Sequence, residues 1–348
     1  MTLSQAFRHQ SESCVKLGSP FMGQLCALLS ERWHNPSRLR QYFDSFTGDI
    51  GPAGHSLPLR LAGGLHALVL TGRAPDLQAV YPPQTVPDDS LWQAVATALE
   101  THESFLLDWV ASAPQTNEVR RSAALMPAAA MAATYFDAPA VLSELGASGG
   151  LNLNWDSFRL DLPGGHLGAA QTGVILTPEW TGDMPPTHLP QIAGRAGVDL
   201  NPLDPQKPDD LLRLKAYLWA DQPHRMSLTQ AAAALQHTKV AQEDAIDWLA
   251  RRLNDIPPGH MHILQHTVAW QYFPKDAQAR GAALIEAAGA RATAAAPLAW
   301  IAMENDGDRS GAVGAHLTLR LWPGDVHLSL GRADFHGRWI SWNPQNRA

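Results

Sequence analysis

Residues 140–156 decide the fold, and they read Ala-Val-Leu-Ser-Glu-Leu-Gly-Ala-Ser-Gly-Gly-Leu-Asn-Leu-Asn-Trp-Asp. The apolar run that reaches Glu144 predicts a buried strand, and the pattern after Gly150 predicts a helix. Glycines between them allow a tight turn that a ligand can approach closely. Free amides at the start of a helix favour a carboxylate or another polar ligand. We therefore expect ligand contacts from Glu144, Gly146, Ala147, Ser148, Gly150 and Asn152.

The composition indicates a globular protein. The chain has 348 residues, 45% of them hydrophobic, which allows a substantial core and roughly two domains of about 150 residues each. Lys and Arg number 26 against 33 Asp and Glu, so the formal charge is −7 and we expect no nucleic-acid partner. No signal peptide and no apolar run of about 18 residues is visible, so we expect no membrane span. Cys14 and Cys26 are too few for a disulfide framework, and we expect a cytoplasmic protein.

The first 135 residues are predicted to form a helical domain, because apolar residues recur at steps of three and four. Ser19-Pro20 is a typical helix start, with serine as the cap and proline in the first turn. Further helices are predicted to begin at Ser56 and near Asp88. No strand-like alternation interrupts this region.

From Pro139 the pattern changes to short apolar runs between helical stretches, which is typical of an α/β domain with a largely parallel sheet. The predicted domain covers residues 136–348, with an insertion at about 157–195 that is rich in Gly, Pro and Thr. Pro323-Gly324-Asp325 predicts a hairpin, so the sheet should finish antiparallel. Seven strands are predicted, at about 140–145, 196–200, 238–242, 260–266, 297–303, 315–322 and 326–332.

Two more of these strands lead into acidic residues. Asp199 ends the run Gly197-Val198-Asp199, and its carboxylate could accept two hydrogen bonds from a ribose diol. Asp244 follows the third strand and could face an adenine amino group. The adjoining Leu200 and Ala245 are expected to line the same ligand. Either aspartate could instead cap a helix, and the turn after Glu144 could be purely structural.

Three successive strand ends that present Glu144, Asp199 and Asp244 resemble the S-adenosylmethionine site of class I methyltransferases. The resemblance covers residues 140 to about 342 and implies a Rossmann-like, seven-stranded sheet with S-adenosylmethionine as cofactor. Two features depart from the pattern. Ser148 replaces the middle glycine of the usual turn, and Glu144 and Asp199 are 55 positions apart, against about 20 in an ordinary βαβ unit. The insertion would absorb this excess.

The resemblance implies methyl transfer to an unidentified small molecule or protein. The protein must hold donor and acceptor in contact and remove the acceptor's proton. His266 follows the fourth strand and is the predicted base or acceptor anchor, because imidazole titrates near neutral pH. Tyr272 or Trp270 could flank the sulfonium through cation–π attraction. The predicted acceptor pocket comprises Gln115, Asn117, Glu118, Arg121 and Gln271, although Asn117 could instead belong to a helix cap.

At a finer level the chain is similar to the uncharacterised bacterial domain-of-unknown-function family 2332. The similarity lies in residues 115–118 with Arg121-Ser122, 144–153, 197–204 and 266–272, and it covers nearly the whole chain. This resemblance identifies a family without implying a reaction.

Two other functions compete with methyl transfer. Residues 146–150 match the Gly-x-Ser-x-Gly nucleophile elbow of serine hydrolases, in which Ser148 would attack and a late histidine such as His336 would be the base. That hypothesis leaves Asp199 and Asp244 without a role. A non-catalytic sensor of an adenosyl ligand is the third possibility. His260, His262 and His266 lie on one face of a predicted strand, but no carboxylate completes a zinc site, and we predict no metal.

Overall fold

The structure, a computed structural model, describes residues 1–51, 54–255, 257–307 and 313–346. The chain divides into two compact units. The first comprises Met1–Thr116 and Lys207–Ser227, and the second comprises Asn117–Gln206 and Leu228–Ala348. This division differs from the predicted boundary at residue 135, because the helix at 122–135 packs on strands of the second unit.

The helices within the described residues are as follows. They are α1 (Leu3–Lys16), α2 (Pro20–Arg32), α3 (Arg38–Asp44), α4 (Leu57–Leu70), α5 (Pro75–Gln78), α6 (Asp88–Thr101), α7 (Glu103–Val110), α8 (Ser122–Tyr135), α9 (Pro208–Ala216), α10 (Pro223–Leu235), α11 (Ala245–Arg252) and α12 (Lys275–Arg291). Three 3₁₀ helices span Val119–Arg121, Leu151–Ser157 and Trp270–Tyr272.

The first unit is helical, as its apolar periodicity predicts. The predicted start of α2 is confirmed, since the Ser19 hydroxyl accepts a hydrogen bond from the Met22 amide and Pro20 is the first helical residue. Helices α4 and α6 also begin where the sequence indicates, after Ser56 and at Asp88. Their apolar stripes meet in one core, to which Leu25, Leu61 and Leu91 contribute without measurable exposure.

The strands of the second unit are as follows. They are β1 (Ala140–Leu145), β2 (Arg159–Leu162), β3 (Gly165–Gly168), β4 (Ile175–Leu176), β5 (Glu179–Gly182), β6 (Ile192–Asp199), β7 (Ala241–Gln242), β8 (Met261–Thr267), β9 (Leu298–Glu304), β10 (Ala315–Trp322), β11 (Val326–Ala333) and β12 (Trp339–Asn346).

Nine of these strands form one mixed sheet in the order β5-β12-β11-β10-β9-β8-β1-β6-β7. Strands β7, β6, β1, β8 and β9 are mutually parallel. The chain leaves β1 toward β6 and β7 on one side, and later returns to place β8 on the other side. The carboxyl ends of β1 and β8 therefore flank the point at which the strand order reverses.

The observed sheet has nine strands, whereas seven were predicted. All seven predicted strands belong to it, but β5 and β12 add two at one edge. The antiparallel part is also longer than a closing hairpin, because β9, β10, β11 and β12 pair antiparallel in succession. Strand β5 is short, and β12 carries Pro344 near its end, so neither has a clean apolar alternation.

Both faces of the sheet are covered. Helices α11 and α12 pack on one face, where Trp248, Leu249 and Ile285 join Leu145 and Leu264 in a core. Helix α8 and the 3₁₀ helix Leu151–Ser157 contact strands on the other face. Within the predicted insertion, β2, β3 and β4 form a separate three-stranded sheet. Side chains that alternate along β1 and β8 therefore enter two different environments.

Candidate functional site

The candidate site lies at the carboxyl ends of β1 and β8. Glu144 is 2% exposed and pairs in register with Gln265 of β8, so both side chains lie on the same face, where the 3₁₀ helix Leu151–Ser157 contacts β1. The Trp155 indole donates a hydrogen bond of 3.0 Å to Gln265 Oε1. Burial raises the pKa of Glu144 to about 8, although the Gln265 amide and the charge of Arg121 oppose this rise. Glu144 is therefore largely protonated at neutral pH.

The glycines of the turn are required by packing within the protein. Gly146 has φ +66°, and a Cβ there would lie 2.5 Å from the Ala269 Cβ. Gly150 has φ +70°, and a Cβ there would overlap the Gln236 amide nitrogen. That amide belongs to a buried network, since Gln236 Nε2 donates to the Gly149 carbonyl and Asn154 Nδ2 donates to Gln236 Oε1. The Gln236 side chain thus fills the space beside Gly150. A ligand cannot approach the backbone closely at this glycine, contrary to the prediction.

We expect Gly150→Ala to destabilise the second unit by about 2 kcal/mol or more, because the methyl group adds a clash to an unfavourable backbone conformation. Gly164→Ala is the matched control. Gly164 also has a positive φ, of +87°, but a Cβ there meets nothing within 4 Å. It should cost only about 1 kcal/mol. Urea denaturation of both variants measures the difference, and equal losses would contradict the packing role of Gly150.

The helix predicted after the turn is present as a 3₁₀ helix, Leu151–Ser157. Its conformation departs from helical at Asn154, and the Leu153 amide bonds to the Gly150 carbonyl three residues earlier. The amides predicted to meet a ligand are largely used. The Ser148 amide donates to Asp199 Oδ2 at 2.9 Å, and the Leu151 amide donates to Asn117 Oδ1 at 2.8 Å. A short 3₁₀ helix whose first amides are capped offers little positive charge to an anion.

The predicted ribose residue, Asp199, lies beside the turn after β1. Its Oδ2 accepts the Ser148 amide and its Oδ1 accepts the Asn201 amide at 2.9 Å. Ser148 has φ +52°, a strained conformation for a residue other than glycine, and the Asp199 carboxylate stabilises that turn. Asp199 therefore links the end of β6 to the turn after β1.

The predicted adenine residue, Asp244, is the N-cap of α11. Its Oδ1 accepts the amides of Ile246 and Asp247 at 2.9 and 3.0 Å, which is the capping role that competed with ligand binding in the sequence. The side chain is 48% exposed. Ala245, the next residue, is the buried first residue of that helix, whereas Leu200 is 64% exposed.

The predicted pocket residues before β1 are structural partners of the turn. Asn117 caps the 3₁₀ helix, as described above. Asn152 accepts from the Ser122 hydroxyl at 2.7 Å and donates to the Glu118 carbonyl. Arg121 donates to the carbonyls of Phe335 and Thr267. Gln115 belongs to the first unit. The sequence segment 117–121 thus folds against the glycine turn, as expected, and holds it.

His266 does not face Glu144. Glu144 pairs in register with Gln265, and His266 is the next residue of β8. Because side chains alternate along a strand, His266 lies on the face opposite to Glu144 and Gln265. There Nδ1 lies 2.7 Å from Glu304 Oε1, and Trp300 Nε1 donates to His266 Nε2 at 2.9 Å. Because an indole can only donate, Nε2 is the acceptor for Trp300, and Nδ1 faces the Glu304 carboxylate. Both nitrogens are occupied, so this geometry does not support the prediction of His266 as a base.

The other residues after β8 form a loop held by Glu304. This carboxylate accepts the amides of Ala269, Trp270 and Gln271, at 3.0, 3.1 and 3.3 Å. Burial would raise the pKa of Glu304, but the hydrogen bonds from His266 and the loop amides outweigh it, and the pKa lies below its ordinary value. Gln271 accepts the Asn305 amide. Tyr272 is 59% exposed, and its role beside the sulfonium stays a prediction.

Three buried polar atoms at this edge have no hydrogen-bond partner among the described residues. They are Glu144 Oε2, Gln265 Nε2 and Ser148 Oγ. Buried polar groups are nearly always paired, and the Gln265 amide acts on Glu144 without completing the set of hydrogen bonds at this edge. Val268, in the turn after β8, has φ +52°, which is unusual for a β-branched residue. Strain and unpaired groups therefore coincide at the ends of β1 and β8.

The sequence reasoning missed three residues of this region, namely Gln265, Trp155 and Glu304. Gln265 is a polar residue inside an otherwise apolar strand, and Glu304 is a carboxylate at a strand end, so both carried a usable signal. Trp155 had none, because its contact with Gln265 spans 110 positions. His262 pairs instead with the Ser143 hydroxyl at 2.8 Å, away from any zinc-like set.

In the described part of the chain, no group of three His, Cys, Asp or Glu side chains could hold a metal ion. Of the helices located there, none has both the length and the hydrophobicity needed to cross a bilayer.

Comparisons with known proteins assign a family. No curated protein matches the chain, and no solved structure does. The family described as "Uncharacterized protein conserved in bacteria (DUF2332)" matches residues 4–342, which cover nearly all of both units and every residue of the candidate site. The chain therefore belongs to the DUF2332 family.

Proposed function

We propose that the second unit is a Rossmann-like domain that binds S-adenosylmethionine at the carboxyl ends of β1, β6 and β7, and that the protein is a methyltransferase. The parallel order β7-β6-β1-β8-β9 with helices on both faces supports this proposal. In such sheets ligands bind outside the carboxyl ends, at the point where the strand order reverses. That point lies between β1 and β8.

The observation that carries the proposal is the set of unpaired polar atoms at this point, on Glu144, Ser148 and Gln265. A polar ligand that supplies the missing partners would satisfy them. Two backbone strains, at Ser148 and Val268, adjoin the same edge, and strain of this kind concentrates at ligand sites.

The acidic strand ends fit an adenosyl group. Strands β1, β6 and β7 are neighbours, with Leu145 opposite Val198 and Asp199 opposite Gln242, so the three acidic residues follow one another along the edge. A carboxylate such as Asp199 can accept two hydrogen bonds from a ribose diol. Asp244 uses Oδ1 for its cap and leaves Oδ2 available for an adenine amino group.

When bound, S-adenosylmethionine supplies a methyl group on a positively charged sulfur, which a nucleophile displaces in line. The chain's own contribution is to hold the ligand and exclude water around Glu144 and Ser148. His266 is held by Glu304 and Trp300 and has no free nitrogen with which to take a proton. We infer a small molecule or a protein as acceptor, since the charge of −7 disfavours nucleic acid.

Ser148 also supports a second candidate, a serine hydrolase, because a nucleophile elbow is a strained turn after a strand and Ser148 has a positive φ. Its hydroxyl, however, has no hydrogen bond to a base among the described residues. Labelling of Ser148 by a fluorophosphonate probe would favour the hydrolase. Binding of S-adenosylmethionine without transfer to any acceptor would favour the sensor.

We expect Asp199→Ala to weaken S-adenosylmethionine binding at least tenfold, or about 1.4 kcal/mol, because the ribose loses its acceptor. Isothermal titration calorimetry measures the change. Asp161→Ala is the control, since Asp161 pairs with Arg159 in the small sheet and should leave the affinity unchanged. Because Asp199 also holds the Ser148 amide, thermal unfolding must show that the variant is folded. A folded variant with wild-type affinity would remove Asp199 from the site.

A further inference from the structure

Glu144 is a buried carboxyl group without a full set of partners. Its side chain is 2% exposed, and Oε2 accepts no hydrogen bond from a described residue. The amide of its register partner Gln265 favours the ionised form but does not offset the burial. An ionised carboxylate in such a place loses its hydration without compensation, so the group keeps a proton unless a cation approaches.

The charged groups around Glu144 do not supply that cation. Arg121 favours the ionised form but is engaged with the carbonyls of Phe335 and Thr267. Asp199, at the end of β6, disfavours ionisation. Asp156, on the 3₁₀ helix that packs against β1, is paired with Arg195 at 2.8 Å. Burial outweighs these influences and sets the pKa of Glu144 near 8.

We propose that the ligand at the end of β1 places a positive charge beside Glu144, and that its binding expels the proton which this carboxyl group holds in the free protein. The inference rests on the proposed function, because S-adenosylmethionine carries an ammonium and a sulfonium group. The proton passes to the solvent, the carboxylate formed faces the cation, and no bond of the ligand is made or broken.

Proton release couples affinity to pH. Below the pKa of Glu144, the affinity for a cationic ligand should rise about tenfold for each pH unit, because binding requires the ionised form. A neutral relative of the ligand, such as 5′-methylthioadenosine, does not need that form. Its affinity should be independent of pH over the same range. The site would thus favour a cationic ligand over a neutral one, and its affinity for the cationic ligand would fall as the pH falls.

Calorimetry at about pH 6.5 in two buffers of different ionisation enthalpy tests the inference. We expect close to one proton released per S-adenosylmethionine and none per 5′-methylthioadenosine. Binding of S-adenosylmethionine without proton release would overturn the inference and leave the proposed function standing. Absence of any binding by S-adenosylmethionine would overturn both.

Glu144→Gln isolates the carboxyl group. The variant should bind S-adenosylmethionine at least tenfold more weakly at about pH 7.5, with no proton release, while its affinity for 5′-methylthioadenosine stays unchanged. Binding of 5′-methylthioadenosine with wild-type affinity also shows that the variant is folded. Glu179→Gln, at an exposed position on β5, is the matched control and should release the proton as the wild type does. Proton release that persists in Glu144→Gln would assign the proton to another group and contradict the inference.

Discussion

Glu144→Gln is expected to become more stable relative to the wild type as the pH rises. The pKa of Glu144 is about 8 in the folded protein against an ordinary value of 4.5. Between these pH values the folded chain keeps a proton that the unfolded chain has lost, so the wild type loses up to about 1.4 kcal/mol of stability per pH unit. Glutamine does not titrate. The difference in unfolding free energy between Glu144→Gln and the wild type should therefore grow by up to about 5 kcal/mol between these two pH values.

Urea denaturation of the ligand-free proteins at several pH values between about 5 and 8 measures this slope. The slope is the quantity to compare, because a constant offset from the new amide group does not alter it. Glu179→Gln is the control and should follow the wild type, since Glu179 is exposed. Parallel curves for Glu144→Gln and the wild type would mean that Glu144 is ionised in the folded protein at neutral pH.

Glu304→Ala is expected to destabilise the protein by about 3–5 kcal/mol, because it leaves several donors without an acceptor. The carboxylate accepts from His266 and from the amides of Ala269, Trp270 and Gln271, and its side chain is only 15% exposed. Its folded pKa is below the ordinary value, so this stabilisation is present above the unfolded pKa and is lost as the pH falls through the folded pKa.

Chemical denaturation at neutral pH checks this loss. Glu286→Ala removes a carboxylate that is 56% exposed and paired with Arg320 at 2.9 Å, and it should cost at most about 1 kcal/mol. A loss as small as that for Glu304→Ala would show that water replaces the carboxylate, and that the loop after β8 does not depend on it.

The sequence predicts well those elements whose pattern is local. Strand β1 was predicted with its observed bounds, because its residues are all buried and a glycine turn ends it. The hairpin between β10 and β11 follows from Pro323-Gly324-Asp325. The sequence does not predict strand β12, although Trp339 and Ile340 begin it, because the strand lies beyond a turn and contains Pro344.

The candidate site was harder to predict, because it depends on which strands are neighbours and in what register. The acidic ends of β1 and β6 do converge, through the contact of Asp199 with the Ser148 amide. The face of His266 follows from the pairing of Glu144 with Gln265, and nothing in the sequence specifies that register. Likewise, Gly150 signals a turn in the sequence, but only the fold reveals that Gln236 occupies the space beside it.

The most direct test of the account is calorimetric titration of the freshly purified protein with S-adenosylmethionine, with native mass spectrometry to detect any adenosyl compound that co-purifies. We expect one ligand per chain, and a weaker affinity in Asp199→Ala. Failure to bind in protein that is folded and free of co-purified ligand would contradict the assignment of the ends of β1, β6 and β7 as an adenosyl site.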